Sequence, residues 1–546
     1  MQISWLTKYN QAHEHNLKLQ DCETSFISFL KEHEVTSFTC KKSKKIPSVA
    51  DTIIHLKFCS AIKVLKNRVL GGVDDDLQRL QKWKLFIMNA ARRFIVFVNA
   101  LHHKLRLQTT NNSIDRFQLM MDGLIPPLDV VMVWRTMMLN VDFFHDTFKR
   151  HDFIEFLQFP FPWAKLNSSI HNYSFEYLPD PSLKRNYVSL IKEYLDVSDF
   201  SMFDVDETNI PTSLAVYCPR CSRNLVENVR VDGGYGFGDR GFSTIIERKQ
   251  SQCQCNGLRM LSHERLRRLQ LGNDICDSKP LPGVCMSTKH DISKYDTSLK
   301  ENLQDRLSSN LSLNDILHYC NNNKVVESYI YSNLLHCTLG DIPIQIHFHI
   351  DLVAYTVREE QFINEILELQ LLHDPKIFTN IQTSRCKFLN YLTLLKENPE
   401  VFFTPTLEID LILKTNQLTI PSKTNIFYET LYQQTFKGDE AHENNKKFLY
   451  MYSKKYKHSE PRNQSKIPGK VIKNVWNKII LEKNQDHEIK TERKAEEIKL
   501  RNYPSLNYCW FTGKGGCKDK YITRQLRYQD LYVNSPFTFR LDRNKC

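Results

Sequence analysis

Apolar residues recur every three or four positions through DDDLQRLQKWKLFIMNAARRFIVFVNALHHKL (74–105), a spacing that predicts a long amphipathic helix. Acids open this stretch and basic residues close it, as the helix dipole favours. The chain before it reads as helical in the same way, and TTNNS (109–113) reads as a loop. LPDPSLKRNYVSLIKEYLDVSDF (178–200) predicts a helix started by proline. The pattern changes near 210. From Ile210 to Asp277 cysteines and glycines punctuate short runs, which predicts strands and turns. LSLNDILHYC (311–320) returns to helical spacing, with Ser312 and Asn314 as candidate caps. IPIQIHFHID (342–351) alternates and predicts a strand, while 352–374 and 387–403 predict helices. Beyond 440 come a linker, a charged helix candidate at 482–501 and an aromatic, basic end.

One apolar phrase occurs twice. PPLDVVMVWRTMML (126–139) and PTLEIDLILKTNQL (405–418) align without a gap, sharing Pro126 and Pro405, Leu128 and Leu407, Thr136 and Thr415, Leu139 and Leu418. Asp129 lies opposite Glu408, and Arg135 lies opposite Lys414. FHDTF (144–148) and FYETL (427–431) come after the two copies. Two like units around one core would give a pseudo-duplicated, mainly α body; two unrelated proline-capped helices are the alternative. The expected organisation is an N-terminal helical region (1–205), a small inserted β module resembling a zinc ribbon (206–280), a second helical unit (281–450) and a basic C-terminal region (451–546).

A chain of 546 residues with 41% hydrophobic residues suits several globular domains. No run of 18 apolar residues occurs, which argues against a membrane span. The first residues lack the character of a secretory or transit signal, so a cytoplasmic or nuclear protein is expected. The 15 cysteines then read as thiols and metal ligands rather than disulfides. Charge is uneven. From Lys437 onward there are 25 Lys and Arg against 13 Asp and Glu, which accounts for the whole net charge of +12. Only that region invites RNA or another acidic partner, with KYITRQLRYQDLY (520–532) as its aromatic and basic core. Lys41, Lys42, Lys44 and Lys45 read as a nuclear import signal or as a solvated loop. No P-loop, dinucleotide fingerprint, GxSxG or HExxH motif is present.

Two constellations could hold metal. Cys218 and Cys221 form a CPRC turn stiffened by Pro219, and Cys253 and Cys255 form a CQC pair followed by Gly257. Four thiolates on two turns satisfy tetrahedral zinc, with Cys276 or His263 as substitutes for one ligand. Such a closed site scaffolds rather than hydrolyses. His349 and Asp351 have the spacing of half a two-histidine, one-carboxylate iron site. Its remaining ligand would be His347, His373, His442 or His458.

IPPLDVVMVWRTMMLN (125–140) and TPTLEIDLILKTNQLT (404–419) resemble the paired motifs of the glycine-rich domain-containing protein-like family of plants and fungi. CPRC, GFGDRGFS (236–243), IDLVAYTVREEQFI (350–363) and FKGDEAHENNKKF (436–448) resemble the fungal branch, in the same order. The family has histidine after tryptophan in its first motif, where Arg135 stands after Trp134 here. Its second motif has a tryptophan and a His-x-His, where Leu413, Lys414, Thr415 and Asn416 stand, after Asp410. A guanidinium has no lone pair for a metal, and an ammonium is a poor ligand. The glycine-rich tail is missing, with only 17 Gly in the chain. The resemblance implies an Asp351 at a helix start, where an acid caps.

Together these readings predict a non-enzymatic interaction or regulatory protein with a structural zinc and a protein partner. Family association suggests growth or stress response. RNA binding through the basic tail is one alternative, and an active or degenerate iron-dependent, dioxygenase-like enzyme is another. Arg135 and Lys414 would bind an anion between the two halves, or serve as ordinary paired helix residues, Lys414 with Asp410.

Overall fold

The computed structural model describes residues 47–419, apart from short stretches inside that span. Outside the described residues lie the lysine run at 41–45, Cys255, FYETL, FKGDEAHENNKKF, His442, His458, the helix candidate at 482–501 and the basic region 451–546. Helices dominate what is described, beside two small sheets of two strands each. No helix among the described residues is long and apolar enough to cross a membrane.

Helix α1 (Val49–Leu70) begins at a capping box: Ser48 Oγ accepts the Asp51 N–H, and Asp51 accepts the Ser48 N–H, both at 3.0 Å. It is buried on nearly every face, which explains its weak amphipathicity and its central place. Lys57 is buried on it, and its ammonium is held by amide oxygens. It donates to Asn167 O (2.7 Å), Asn167 Oδ1 (3.0 Å) and Asn172 Oδ1 (2.6 Å), and burial lowers its pKa to about 8. Helix α2 (Asp76–Arg106) is the long helix the spacing predicts, capped by Asp75 on the Gln78 N–H at 2.8 Å. Helices α3 (Ser113–Asp122), α4 (Leu128–Leu139), α5 (Val141–Arg150), α6 (Ile154–Gln158), α7 (Trp163–Ser169) and α8 (Pro181–Tyr194) complete the first half. Every residue of α4 is buried. Trp134 lies within 6.0 Å of the Phe156, Phe159 and Phe161 rings, measured between centroids.

Strands β1 (Ser213–Tyr217) and β2 (Asn224–Arg230) pair antiparallel, as do β3 (Ser243–Ile245) and β4 (Met260–Ser262). Between the two hairpins the glycine-rich loop turns tightly against Val231. A Cβ at Gly236 would stand 2.4 Å from the Val231 carbonyl carbon, and one at Gly238 2.8 Å from the Val231 oxygen. The strands and turns expected as far as Asp277, within a module at 206–280, stop earlier: Ser262 caps helix α9 (His263–Cys276) through the Arg265 N–H. The run HERLRRLQLGNDIC has helical spacing and no turn residue before Gly272. Helices α10 (Ile292–Leu307), α11 (Leu313–Tyr319) and α12 (Lys324–Tyr331) come next, then α13 (Leu352–Glu368), α14 (Ile377–Glu397) and α15 (Leu407–Thr419).

Residues 342–351, expected as a strand, are instead irregular, with bends at Ile346 and Ile350, and form no ladder with another strand among the described residues. Side chains satisfy their backbone instead. Asn99 Oδ1 accepts the N–H groups of Gln345 and Ile346, both at 2.8 Å, and His151 Nε2 accepts that of His347 at 3.2 Å. Alternation predicts a strand only where a neighbouring strand exists to pair with it, and it cannot show whether one does.

Two proline-led helices are built alike. In α4 the Val131 N–H bonds to Pro127 O (3.0 Å), and in α15 the matching Asp410 N–H bonds to Thr406 O (2.8 Å). Thr136 and Thr415 each donate to the carbonyl four residues back, Met132 and Leu411. The aligned acids hold bases on the preceding long helix: Asp129 meets Arg93 of α2 at 2.6 Å, and Glu408 meets Lys387 of α14 at 2.9 Å. Helices α4 and α15 also touch each other, and α13 packs on both. One large hydrophobic core runs from Val49 to Leu418 through both halves. A second, smaller core gathers Leu271, Leu281, Val284, Leu303, Val326 and Tyr329.

Candidate functional site

The two motif cations converge on one carboxylate. Arg135 Nη1 donates to Glu359 Oε2 at 3.0 Å, and Lys414 Nζ donates to Glu359 Oε1 at 2.9 Å. Glu359 comes from α13, the helix packed against both motif helices. Arg135 and Lys414 are only 1% and 2% exposed, so these charges face little solvent screening. Both cations also lie over the Phe362 ring, at 5.7 and 4.9 Å from its centre. Burial pushes the Glu359 carboxyl up, but Lys414 and Arg135 outweigh it and hold the group below the usual carboxylate range.

His55 of α1 completes the arrangement, and its tautomer is set by its neighbours. The Thr415 hydroxyl donates to Leu411 O at 2.7 Å, so it accepts from His55 Nδ1 at 2.9 Å. The other nitrogen, Nε2, then accepts the Arg135 Nε–H at 3.1 Å. Burial, with the nearby Arg135 and Lys414 charges, keeps His55 neutral by lowering its pKa well below the ordinary value. Asp410 is buried beside this group, and Lys414 takes Glu359 as an ion-pair partner. Burial pushes Asp410 up to about 7; Lys414 opposes that rise and Glu359 adds to it. Asp410 Oδ2 and Arg135 Nη2 have no hydrogen-bond partner among the described residues.

Of the two readings of Arg135 and Lys414, pairing within the chain is what the structure shows, with Glu359 and not Asp410 as the ion-pair partner of Lys414. Sequence reading found Arg135, Lys414 and Asp410 but not Glu359 or His55. Glu359 lies in VREEQFI among other acids and basic residues, and His55 is a single histidine in an apolar run. Neither position carries a spacing signal. Asp129 and Trp134 lie on the same helix as Arg135, one tied to Arg93 and the other packed among phenylalanines.

A second centre lies at the β1–β2 turn. The Sγ atoms of Cys218, Cys221 and Cys253 all lie within 4.8 Å of one another, with Cys221 and Cys253 3.6 Å apart. The turn is fixed by Cys218 N–H to Arg223 O and Ser222 N–H to Cys218 O, both 2.9 Å, and by Ser222 at φ +56°. Thiolates bound about 2.3 Å from a tetrahedral zinc lie about 3.8 Å apart, so the spacing fits a metal. These three cysteines could hold an ion. His263 instead packs against the Phe237 and Phe242 rings, and Cys276 lies at the exposed end of α9.

The histidines of the expected iron set fall in a third cluster, between the large and small cores. His336 and His347 stack at 4.6 Å, and His349 lies 4.9 Å from Tyr329 between ring centres. Asp274 accepts the Tyr329 hydroxyl at 2.6 Å and the Gln270 amide at 2.8 Å, with His349 Nε2 at 3.8 Å. Among the described residues Asp351 does not join them in a ligand-like group: its carboxylate accepts the Ala354 N–H at 2.9 Å and caps α13. His373 ends a short turn at residues 371–373, also outside such a group. The carboxylate beside His349 is Asp274, which no sequence spacing linked to it.

Compared with protein-family models, curated proteins and solved structures, the chain matches none of them.

Proposed function

We propose that this chain is a divergent member of the glycine-rich domain-containing protein-like family, acting as a non-enzymatic interaction protein that binds a protein partner. The observation that carries this reading is the convergence of Arg135 and Lys414 on Glu359. At the positions where that family has histidines, two fixed cations neutralise an internal carboxylate. Neither can donate a lone pair to a metal, and together with Glu359 they tie three helices into one body. A zinc ion held by Cys218, Cys221 and Cys253, with Cys255 as the fourth thiolate, would brace the β hairpins, since four protein ligands leave no position for substrate.

The competing enzyme reading draws on the orphaned ring nitrogens of His349, buried beside Asp274. Metal content of the full chain, purified without a histidine tag, separates the two. One zinc per chain, lost together with folded structure in a Cys218→Ser/Cys253→Ser variant, is the expected result. Iron or manganese that persists in that variant and disappears in His349→Ala would overturn the scaffold reading.

A further inference from the structure

The three gathered cysteines are not equivalent. Cys218 lies just past β1 and is 1% exposed, whereas Cys221 and Cys253 are half-buried. The sulfurs of Cys221 and Cys253 approach to 3.6 Å, and the two come from segments 32 positions apart. A disulfide needs its sulfurs about 2.05 Å apart, so a small side-chain movement joins them. We propose that Cys221 and Cys253 are an oxidation site: a peroxide converts them to a disulfide, and the metal they share with Cys218 is released. The release rests on the zinc reading proposed for these cysteines, and the disulfide on geometry alone.

The chemistry balances with hydrogen peroxide as oxidant. One thiolate attacks the peroxide, the O–O bond breaks, and a sulfenic acid forms as hydroxide leaves. The second thiolate attacks that sulfur, the S–S bond forms and a second hydroxide leaves. Two thiolates have lost two electrons in total, and the peroxide has gained them. The metal loses two of its donors. Of the four proposed thiolates only Cys218 and Cys255 remain, too few to retain the ion. A thiol reductant reverses the bond, so the turn after β1 and the segment before β4 are linked or freed according to redox state.

The test uses the full chain, zinc-loaded and freed of reductant, treated with hydrogen peroxide in the presence of a chromogenic zinc chelator. The expected result is one zinc released per chain, a mass loss of about 2 Da relative to the reduced protein as two thiols become a disulfide, and a non-reducing peptide map joining Cys221 to Cys253. Dithiothreitol followed by zinc should restore the starting state. A map joining either cysteine to a different one, or zinc release with sulfinic acid and no disulfide, would overturn the proposal. Protein that holds no zinc yet forms the Cys221–Cys253 bond would overturn the metal reading while leaving the oxidation site standing. Because a Cys221→Ser variant could fail to fold, iodoacetamide labelling of the chelator-treated wild type gives an independent reading. Cys221 and Cys253 should label before Cys218, and the reverse order would count against the proposal.

Discussion

Glu359 decides whether the centre of this molecule is a neutralised cluster or a pair of buried like charges. Breaking a buried ion pair from one side leaves an uncompensated charge and costs about 3–5 kcal/mol, whereas replacing all partners by apolar groups is often neutral. Glu359→Gln should therefore destabilise the protein by about 3–5 kcal/mol in urea unfolding, since two cations depend on that carboxylate. The triple change Arg135→Met/Glu359→Met/Lys414→Met should recover most of that loss. A Glu359→Gln protein as stable as wild type would mean that solvent, not Glu359, neutralises the pair. Sequence alone showed half of this cluster. Arg135 and Lys414 stood out because an apolar helix phrase repeats with a base in register. Glu359 lies 224 and 55 positions from them, and nothing local marks it as their partner.

At the scale of helices, the repeat proved to extend beyond its own residues. Each motif helix carries an acid in its first turn that reaches a base on the long helix before it, but the two pairs differ in setting. Asp129 and Arg93 are 4% and 3% exposed, while Glu408 and Lys387 are 25% and 28% exposed. Asp129→Ala should cost about 3–5 kcal/mol, because it strands a buried guanidinium. Glu408→Ala should cost about 1 kcal/mol or less, as solvent screens its partner. Equal losses in denaturant titration would show that the two halves are closer energetically than their burial implies. The aligned phrases made the helices and the Asp129–Glu408 correspondence legible. The bases Arg93 and Lys387 were not, because they precede their acids by unequal distances, 36 and 21 positions. The same limit explains residues 342–351, where alternation predicted a strand but Asn99, distant in sequence, takes the backbone N–H groups of an irregular segment.

The whole molecule holds several histidines buried in neutral form, and that sets its response to acid. Burial lowers His55, His336 and His349 well below the ordinary histidine value, His102 to about 4 and His263 to about 3. An unfolded chain takes up protons at these positions as pH falls through about 6.5, while the folded chain does not. Stability is therefore fully present above about 6.5 and declines below it, because the unfolded state binds more protons. Asp410 acts in the opposite sense: its folded value of about 7 means that the folded state binds a proton between about 4 and 7, which favours folding in acid. Burial also raises Asp129, Asp351 and Glu365, but it lowers His151 and His347 too, so four carboxylates are set against seven histidines and the net slope should go with the histidines. These lie in separate places: His55 at the motif cluster, His263 against the β hairpins, His336 and His349 between the two cores. Acid should consequently weaken the body as a unit instead of releasing one part. Urea midpoints should be level from about pH 8 to 7 and fall steadily from about pH 6.5 to 4.5, with fluorescence and circular dichroism shifting together. His55→Gln, which keeps a neutral hydrogen-bonding side chain between Thr415 and Arg135, should make that fall shallower. A midpoint that holds or rises down to about pH 5 would show that these histidines accept protons without unfolding the chain.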